Sequence, residues 1–370
     1  MQVSPLLGQE WPELAASVSA AIDLDATARC SGALVRRRGV RSAEGLLRLA
    51  LAYGPGRLSL RSAAAWAGLV GLAALSDTAL MNRLRHAAAW LGEVAGALLR
   101  RRLGLPSTPG PLAGRRLRIA DASTIVAPGG APAWRLHATY DPAAGCFSNL
   151  ELTDLHGAEG FDRTAWQPGE VALGDRCYAR PPALRRLLAA GADFVVRTGW
   201  MRLRLLGSDG APLAWDRIFD RLAVGEVADM AVRVDTSGKG GKSRGKATFP
   251  ARLVVLRLAP AAAARAAKAQ HRRQSRCRAD RPLQPTTVRA IGYLMLVTSL
   301  PAEKVTAAEV LQAYRLRWQI ELAFKRLKSL LGLNRLPAKG EDLARSWLLA
   351  HLVLALLIED QTRDILDFPP

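Results

Sequence analysis

Tyr314, Arg317, Glu321 and Lys328 are spaced three, four and seven positions apart in a segment, 306–331, whose apolar residues recur at helical intervals. At about 100° per residue the four fall within a stripe about 60° wide, with Leu316, Ile320, Ala323, Phe324, Leu327, Leu330 and Leu331 on the opposite side. One continuous helix is therefore expected here, burying its apolar face and presenting a row that holds one carboxylate among cations. Such a row suits phosphate groups, which Arg binds bidentately, Lys as a point charge and Tyr through its hydroxyl or by stacking. The Arg317–Glu321 pair is also an ordinary i,i+4 surface ion pair, so the row alone does not fix the chemistry. The other potential metal ligands narrow it. Five histidines show no His-Glu-x-x-His spacing, and Cys30, Cys146, Cys177 and Cys277 form no Cys-x-x-Cys pair. Any catalytic metal must then be held by carboxylates, whose hard oxygens suit Mg²⁺ or Mn²⁺.

The run from Tyr314 to Lys328 resembles the Tyr-Arg-Glu-Lys signature of DDE transposases in the insertion-sequence-four family. Leu117-Arg-Ile-Ala-Asp121 looks like the first catalytic strand of that family, ending in its first Asp, and Val171-Ala-Leu-Gly-Asp175-Arg-Cys-Tyr178 looks like the second. The resemblance covers about residues 111–335. It implies an RNase H-like catalytic core, Asp121, Asp175 and Glu321 as catalytic metal ligands, and Tyr314, Arg317 and Lys328 as holders of transposon-end phosphates. The 146 positions between Asp175 and Glu321 leave room for the strand-rich insertion that such enzymes carry there. It further implies cleavage at transposon ends and strand transfer into target DNA, by a homodimer in the synaptic complex. Phosphodiester chemistry with two divalent ions needs a few carboxylates on separate rigid elements, which agrees with this set. An RNase H-like nuclease that cuts without joining, or a non-catalytic DNA-binding regulator derived from a transposase, stays open on sequence alone. Intact Asp121, Asp175 and Glu321 weigh against the regulator. In relatives that form a DNA hairpin an aromatic near the strand before this helix can stack on a flipped base, and Tyr293 lies close to that place, but core packing is the role expected of it. His156 and Glu159, in Thr-Asp-Leu-His-Gly-Ala-Glu, also look family-like but receive no role.

The charge agrees with a polyanionic partner. There are 52 Lys plus Arg against 32 Asp plus Glu, a net +20. Between 236 and 290 there are 14 basic residues and one acid, Asp280, so this stretch supplies +13 of the total. A solvated surface normally mixes both signs, whereas phosphate neutralisation needs one. Lys239, Lys242 and Lys246 in a Gly-rich tip, and Arg272, Arg273, Arg276 and Arg278 after it, are the expected DNA contacts. The tip, Gly238-Lys-Gly-Gly-Lys-Ser243, imitates a nucleotide-binding loop, but that pattern needs a Gly where Thr236 stands.

Mixed α/β architecture positions these residues. Residues 1–110 read as a helical N-terminal domain, with capped helices at 42–53, 59–68 and 76–103. Arg36, Arg37, Arg38, Arg41 and Arg61 nearby suit DNA binding, and a plain helical bundle with a solvated basic face is the equal alternative. Short strands at 116–122, 134–140 and 146–153 follow, then strand 171–175, helix 182–190 and strand 193–198, which together suggest a mixed sheet flanked by helices and the first part of the core, 111–199. Residues 200–290 read as a basic β-rich insertion with a hairpin of strands 227–234 and 251–258. Strand 293–298 and the C-terminal helices complete the core, 291–370. The apolar stretch 347–358 is too short to span a bilayer and reads as a buried helix. No basic-then-apolar leader is visible and the cysteines are scattered, so a cytoplasmic, nucleoid-associated bacterial protein is expected.

Overall fold

The computed structural model describes residues 8–103, 112, 114–126, 132–236, 247–276, 283–329, 332–333, 336 and 340–366. Six helices come first: α1 (Trp11–Ser19), α2 (Leu24–Cys30), α3 (Ala43–Tyr53), α4 (Leu60–Leu69), α5 (Asp77–His86) and α6 (Ala88–Leu103). Asp23, Ser42, Ser59 and Ser76 cap the N-termini of α2 to α5 by accepting a backbone N–H. Then follow β1 (Arg116–Val126), β2 (Pro132–Asp141), β3 (Cys146–Asp154), β4 (Glu170–Gly174), α7 (Pro181–Ala189), β5 (Asp193–Arg197), β6 (Leu205–Leu206), α8 (Trp215–Arg221), β7 (Val227–Asp235) and β8 (Thr248–Arg257). The chain continues with α9 (Pro260–Arg276), α10 (Pro285–Ala290), β9 (Tyr293–Thr298), α11 (Ala307–Arg315), α12 (Trp318–Ser329) and α13 (Glu341–Leu366).

The described strands form one sheet in the order β3-β2-β1-β4-β5-β9-β8-β7-β6. Strands β1 to β3 are an antiparallel meander, and β1, β4 and β5 are parallel neighbours. That is the RNase H-like arrangement. The insertion is not a separate β unit, however. Strand β9 pairs antiparallel with both β5 and β8, so β8, β7 and β6 extend the catalytic sheet. The basic stretch after the hairpin begins as helix α9.

Alternation along the strands divides the core in two. Leu117, Ile119, Val171, Leu173 and Val195 face a cluster that includes α11, α12, α13 and the N-terminal helices. Ala120, Ala172, Phe194, Val196 and Met295 face a second cluster with α7 and α8. The N-terminal helices therefore share a core with α13, where Ser346 Oγ donates to the Leu84 carbonyl. The expected helix 347–358 lies within α13, and among the described residues no helix is long and apolar enough to cross a membrane.

Two expected helices are broken. The segment 76–103 divides at Ala87, whose N–H donates to Leu84 O, and α6 then carries Trp90 to the Thr27 hydroxyl at 3.2 Å. The segment 306–331 divides at Leu316–Arg317, where Leu316 N and Arg317 N donate to Ala313 O and Tyr314 O in i→i−3 bonds. No Pro or Gly stands at either break, so both are imposed by packing. Leu330 and Leu331 lie outside the described residues.

Candidate active site

Asp121 and Asp175 are 54 positions apart, and so are the paired residues of β1 and β4: Arg116 opposes Glu170, and Ile119 opposes Leu173. Continuing that register by two residues sets Asp121 opposite Asp175. Two-residue periodicity gives both carboxylates the face of Ile119 and Leu173, toward α12. Asp175 follows the last residue of β4 and accepts the Cys177 N–H at 2.7 Å. Gly174 permits this turn, because a Cβ there would lie 2.6 Å from Tyr178 Cβ and 2.8 Å from the Phe161 ring. Asp121 does not end its strand as expected. Strand β1 runs on to Val126 against β2 alone, because β4 stops at Gly174 and opens the edge on which Asp121 sits.

Helix α12 brings the third carboxylate. Ile320, Ala323, Phe324 and Leu327 are buried as expected, and Phe324 meets Phe147 of β3 at a centroid distance of 6.1 Å. Asp121, Ser123, Glu321, Lys325 and Lys328 line one open cleft of about 460 Å³. Arg317 spans the site: its guanidinium lies 3.7 Å from Asp121 Oδ2 and pairs with Glu321 Oε1. Glu321 is 54% exposed at its side chain, against 19% for Asp121. Lys328 Nζ donates to the Thr124 carbonyl at 3.0 Å, and burial lowers its pKa.

Tyr314 departs from the expected row. It is only 8% exposed, and its hydroxyl pKa is raised, chiefly by burial. Arg317, Arg197 and Asp175 are its charged neighbours. The break after Arg315 lets Tyr314 turn inward while Arg317 reaches Asp121. Tyr293 is buried too, stacked on Phe219 at 4.4 Å with its hydroxyl donating to the Phe219 carbonyl at 2.7 Å. Core packing, not base stacking, accounts for it. Of the basic residues expected to touch DNA, Arg272 is exposed on α9 in helical register with the exposed Arg265 and Lys268, and Arg273 and Arg276 fall on the same helix. Lys239, Lys242, Lys246 and Arg278 lie outside the described residues.

Glu159, left without a role by the sequence, is in the site. One oxygen of Glu159, one of Asp175 and the Cys177 sulfur lie within 4.8 Å of one another. The Cys177 thiol is pushed up to about 11, first by burial and then by Asp175 and Glu159, so it stays protonated. His156 is exposed.

These donors fit a hard divalent cation. Burial, followed by the nearby charge of Asp175, pushes the Asp121 carboxyl up to about 6 although the Ala122 N–H favours its ionised form. A bound cation would remove that cost, and the Arg317 guanidinium already supplies positive charge between Asp121 and Glu321. The sign gives a test. A carboxyl that binds its proton more tightly when folded (about 6 against 3.8) weakens the metal-free fold as pH rises from about 4 to 6. The full cost, about 2–3 kcal/mol, applies above pH 6. Urea unfolding of metal-free Asp121→Asn is expected to match the parent near pH 4 and to exceed it by that amount at pH 7, and parallel profiles would refute the shift.

A sheet of RNase H-like order with one carboxylate on β1 beside the end of β4, a second just past β4 and a third on a helix across them is the arrangement of a metal-dependent nucleotidyl-transfer core. Residues 112–358 match the family model described as Transposase DDE domain, and the chain belongs to the DDE transposases, in the insertion-sequence-four family. It is 43% identical over 362 residues to InsL from insertion sequence element IS186A of Escherichia coli K12, covering 97% of this chain and 96% of that one. It is likewise 43% identical over 363 residues to the transposase of insertion sequence element IS421 from Escherichia coli, with the same coverage. Among solved structures, the piggyBac transposase synaptic complex with hairpin DNA gives a TM-score of 0.43 at 10% identity, covering 83% of this chain and 59% of that chain.

Proposed function

We propose that Asp121, Asp175 and Glu321 hold two Mg²⁺ or Mn²⁺ ions with which this transposase cuts the ends of its insertion sequence and joins them to target DNA. The observation that carries the assignment is the β1–β4 register, which makes Asp121 and Asp175 neighbours on the face crossed by α12. When bound, the ions supply activation of the attacking oxygen and stabilisation of the leaving oxygen. The chain's own residues do the rest. Asp121 and Asp175 anchor the site on rigid strands, and Glu321 closes it from a helix through a side chain exposed enough to exchange Arg317 for a cation. Arg317 released from Glu321, and Lys328 released from the Thr124 carbonyl, are donors for scissile-end phosphates. Tyr314 is better placed to position Arg317 than to touch DNA itself, since its ring is buried and that guanidinium is the first of its charged neighbours.

Away from the site, the exposed stripe Arg265, Lys268, Arg272 on α9 and the Lys-rich tip supply charge for tracking the DNA backbone. An insertion sequence has two ends and each chain carries one carboxylate set, so a homodimer is the working unit in the synaptic complex.

The test uses duplexes bearing the inverted repeats that flank the coding region, scrambled duplexes, and Mg²⁺ or Mn²⁺. End-specific cleavage followed by joining to a target plasmid is expected, and cleavage with no joining would reduce the function to that of a nuclease. Replacing Arg272, Arg273, Arg276 and Arg278 by neutral residues should weaken binding to both duplexes alike, because phosphate contacts carry affinity and little base information. The slope of log affinity against log salt should flatten by up to roughly 3.6, about 0.9 for each phosphate no longer neutralised. A variant that keeps the parental slope would remove the arm from the DNA interface.

A further inference from the structure

We infer that Glu159 is a fourth carboxylate of the metal site, holding a divalent cation together with Asp175; this rests on the placement of the catalytic metal proposed above. Its oxygen and that of Asp175 share a space under 4.8 Å across. Two carboxylates so close repel each other, and the neutral Cys177 thiol beside them brings no positive charge to offset it, as a bound cation would. The nearest cation in an ion pair with Glu159 is Arg135, whose Nε stands 3.9 Å away, beyond hydrogen-bond range. The Arg135 guanidinium is turned to another task, donating from Nη1 to the Gly157 carbonyl at 2.7 Å.

That task belongs to a loop built to hold Glu159 still. Asp154 accepts the N–H groups of His156 and Gly157 at 3.0 and 3.1 Å. Arg163 Nε donates to the Ala158 carbonyl at 2.6 Å, while its Nη1 reaches Glu151 at 2.6 Å. A Cβ on Gly157 would lie 2.1 Å from Thr153 Oγ1 and 2.6 Å from Thr153 Cβ, so only glycine closes the turn. The run Thr153-Asp-Leu-His-Gly-Ala-Glu159 is thus accounted for: Asp154 and Gly157 shape the loop, Arg135 and Arg163 clamp its carbonyls, and Glu159 is the side chain it delivers. A surface loop whose only purpose was an ion pair with Arg135 would not direct that Arg to a carbonyl instead.

The full-length chain is titrated with Mn²⁺ alone, by calorimetry and by electron paramagnetic resonance of the bound ion, in parallel with metal-free melting. Glu159→Gln keeps the shape and removes the charge. It is expected to weaken Mn²⁺ binding by about 10–100-fold, to leave the metal-free melting temperature equal or higher because a repulsion is relieved, and to lose the melting shift that Mn²⁺ gives the parent. Glu159→Asp should recover part of the affinity. Asp121→Asn is the control for the site itself. If Asp121→Asn weakens Mn²⁺ binding and Glu159→Gln does not, Glu159 is no ligand while the catalytic site stands. A lower metal-free melting temperature in Glu159→Gln with unaltered Mn²⁺ affinity would make Glu159 a structural partner of Arg135. If neither variant alters Mn²⁺ binding, the placement of the metal is wrong.

Discussion

Asp121→Asn, Asp175→Asn and Glu321→Gln are each expected to lower metal-dependent cleavage of end-bearing DNA by at least about 10²–10³-fold while affinity for the same DNA stays within a few fold. Losing one preorganised charged group at a reacting centre typically costs about 3–4 kcal/mol of transition-state stabilisation. Attraction to phosphate is carried by the basic residues and survives. It should even rise slightly for Asp121→Asn and Glu321→Gln, because each removes a negative charge from a cleft that also holds Lys325 and Lys328. The three variants should differ in one respect. Asp121 is half-buried and its desolvation costs the metal-free fold stability, so its Asn variant gains stability, whereas Glu321 is exposed and its Gln variant should melt within a degree or two of the parent. Gel-shift affinity and single-turnover cleavage on one substrate measure both quantities. Cleavage retained by Glu321→Gln to within tenfold would overturn the role of α12, and loss of DNA binding together with stability would mark misfolding.

The second large effect lies on the opposite face of the same strand. Arg118, three residues before Asp121, is 1% exposed and joins three strands. Its Nη1 donates to Glu170 at 2.9 Å and to the Ala165 carbonyl at 3.3 Å, its Nε donates to Ser148 Oγ at 3.1 Å, and its guanidinium lies 5.0 Å from the centre of the Trp166 ring. Glu170 is itself buried and also accepts the Gln167 N–H at 2.9 Å. Arg118→Met strands that carboxylate without its countercharge, and a destabilisation of about 3–5 kcal/mol is expected in urea unfolding. Replacing both partners, Arg118→Met with Glu170→Leu, should restore most of it, since two apolar groups leave no buried charge unpaired. A single variant within about 1 kcal/mol of the parent, or a double variant as unstable as the single, would contradict this account. The pair joins Arg118 of β1 to Glu170 of β4, so folded Arg118→Met should also lose cleavage through the loosened register of Asp121 and Asp175.

Much of the site is legible in the sequence because it depends on local periodicity. Spacings of four and seven put Arg317, Glu321 and Lys328 beside one cleft, and alternation in 117–121 and 171–175 sets which face each Asp takes. The apolar pattern of α12 and the ends of β9 also follow from neighbours in sequence. What the tertiary structure decided is everything that rests on distant partners. The 54-residue offset between β1 and β4 is a pairing choice, invisible until the strands meet. Tyr314 turns inward only because packing breaks the helix at Leu316–Arg317, where no Pro or Gly marks a boundary. The insertion joins the catalytic sheet because β9 offers one edge to β5 and the other to β8, a sharing that the strand pattern alone does not specify. Glu159 meets Asp175 across a loop closed by Arg135 and Arg163, whose hydrogen bonds run to backbone carbonyls and so leave no trace in residue type. Side-chain periodicity is written locally, whereas a backbone carbonyl is the same at every position, and contacts made through it are known only once the chain is folded.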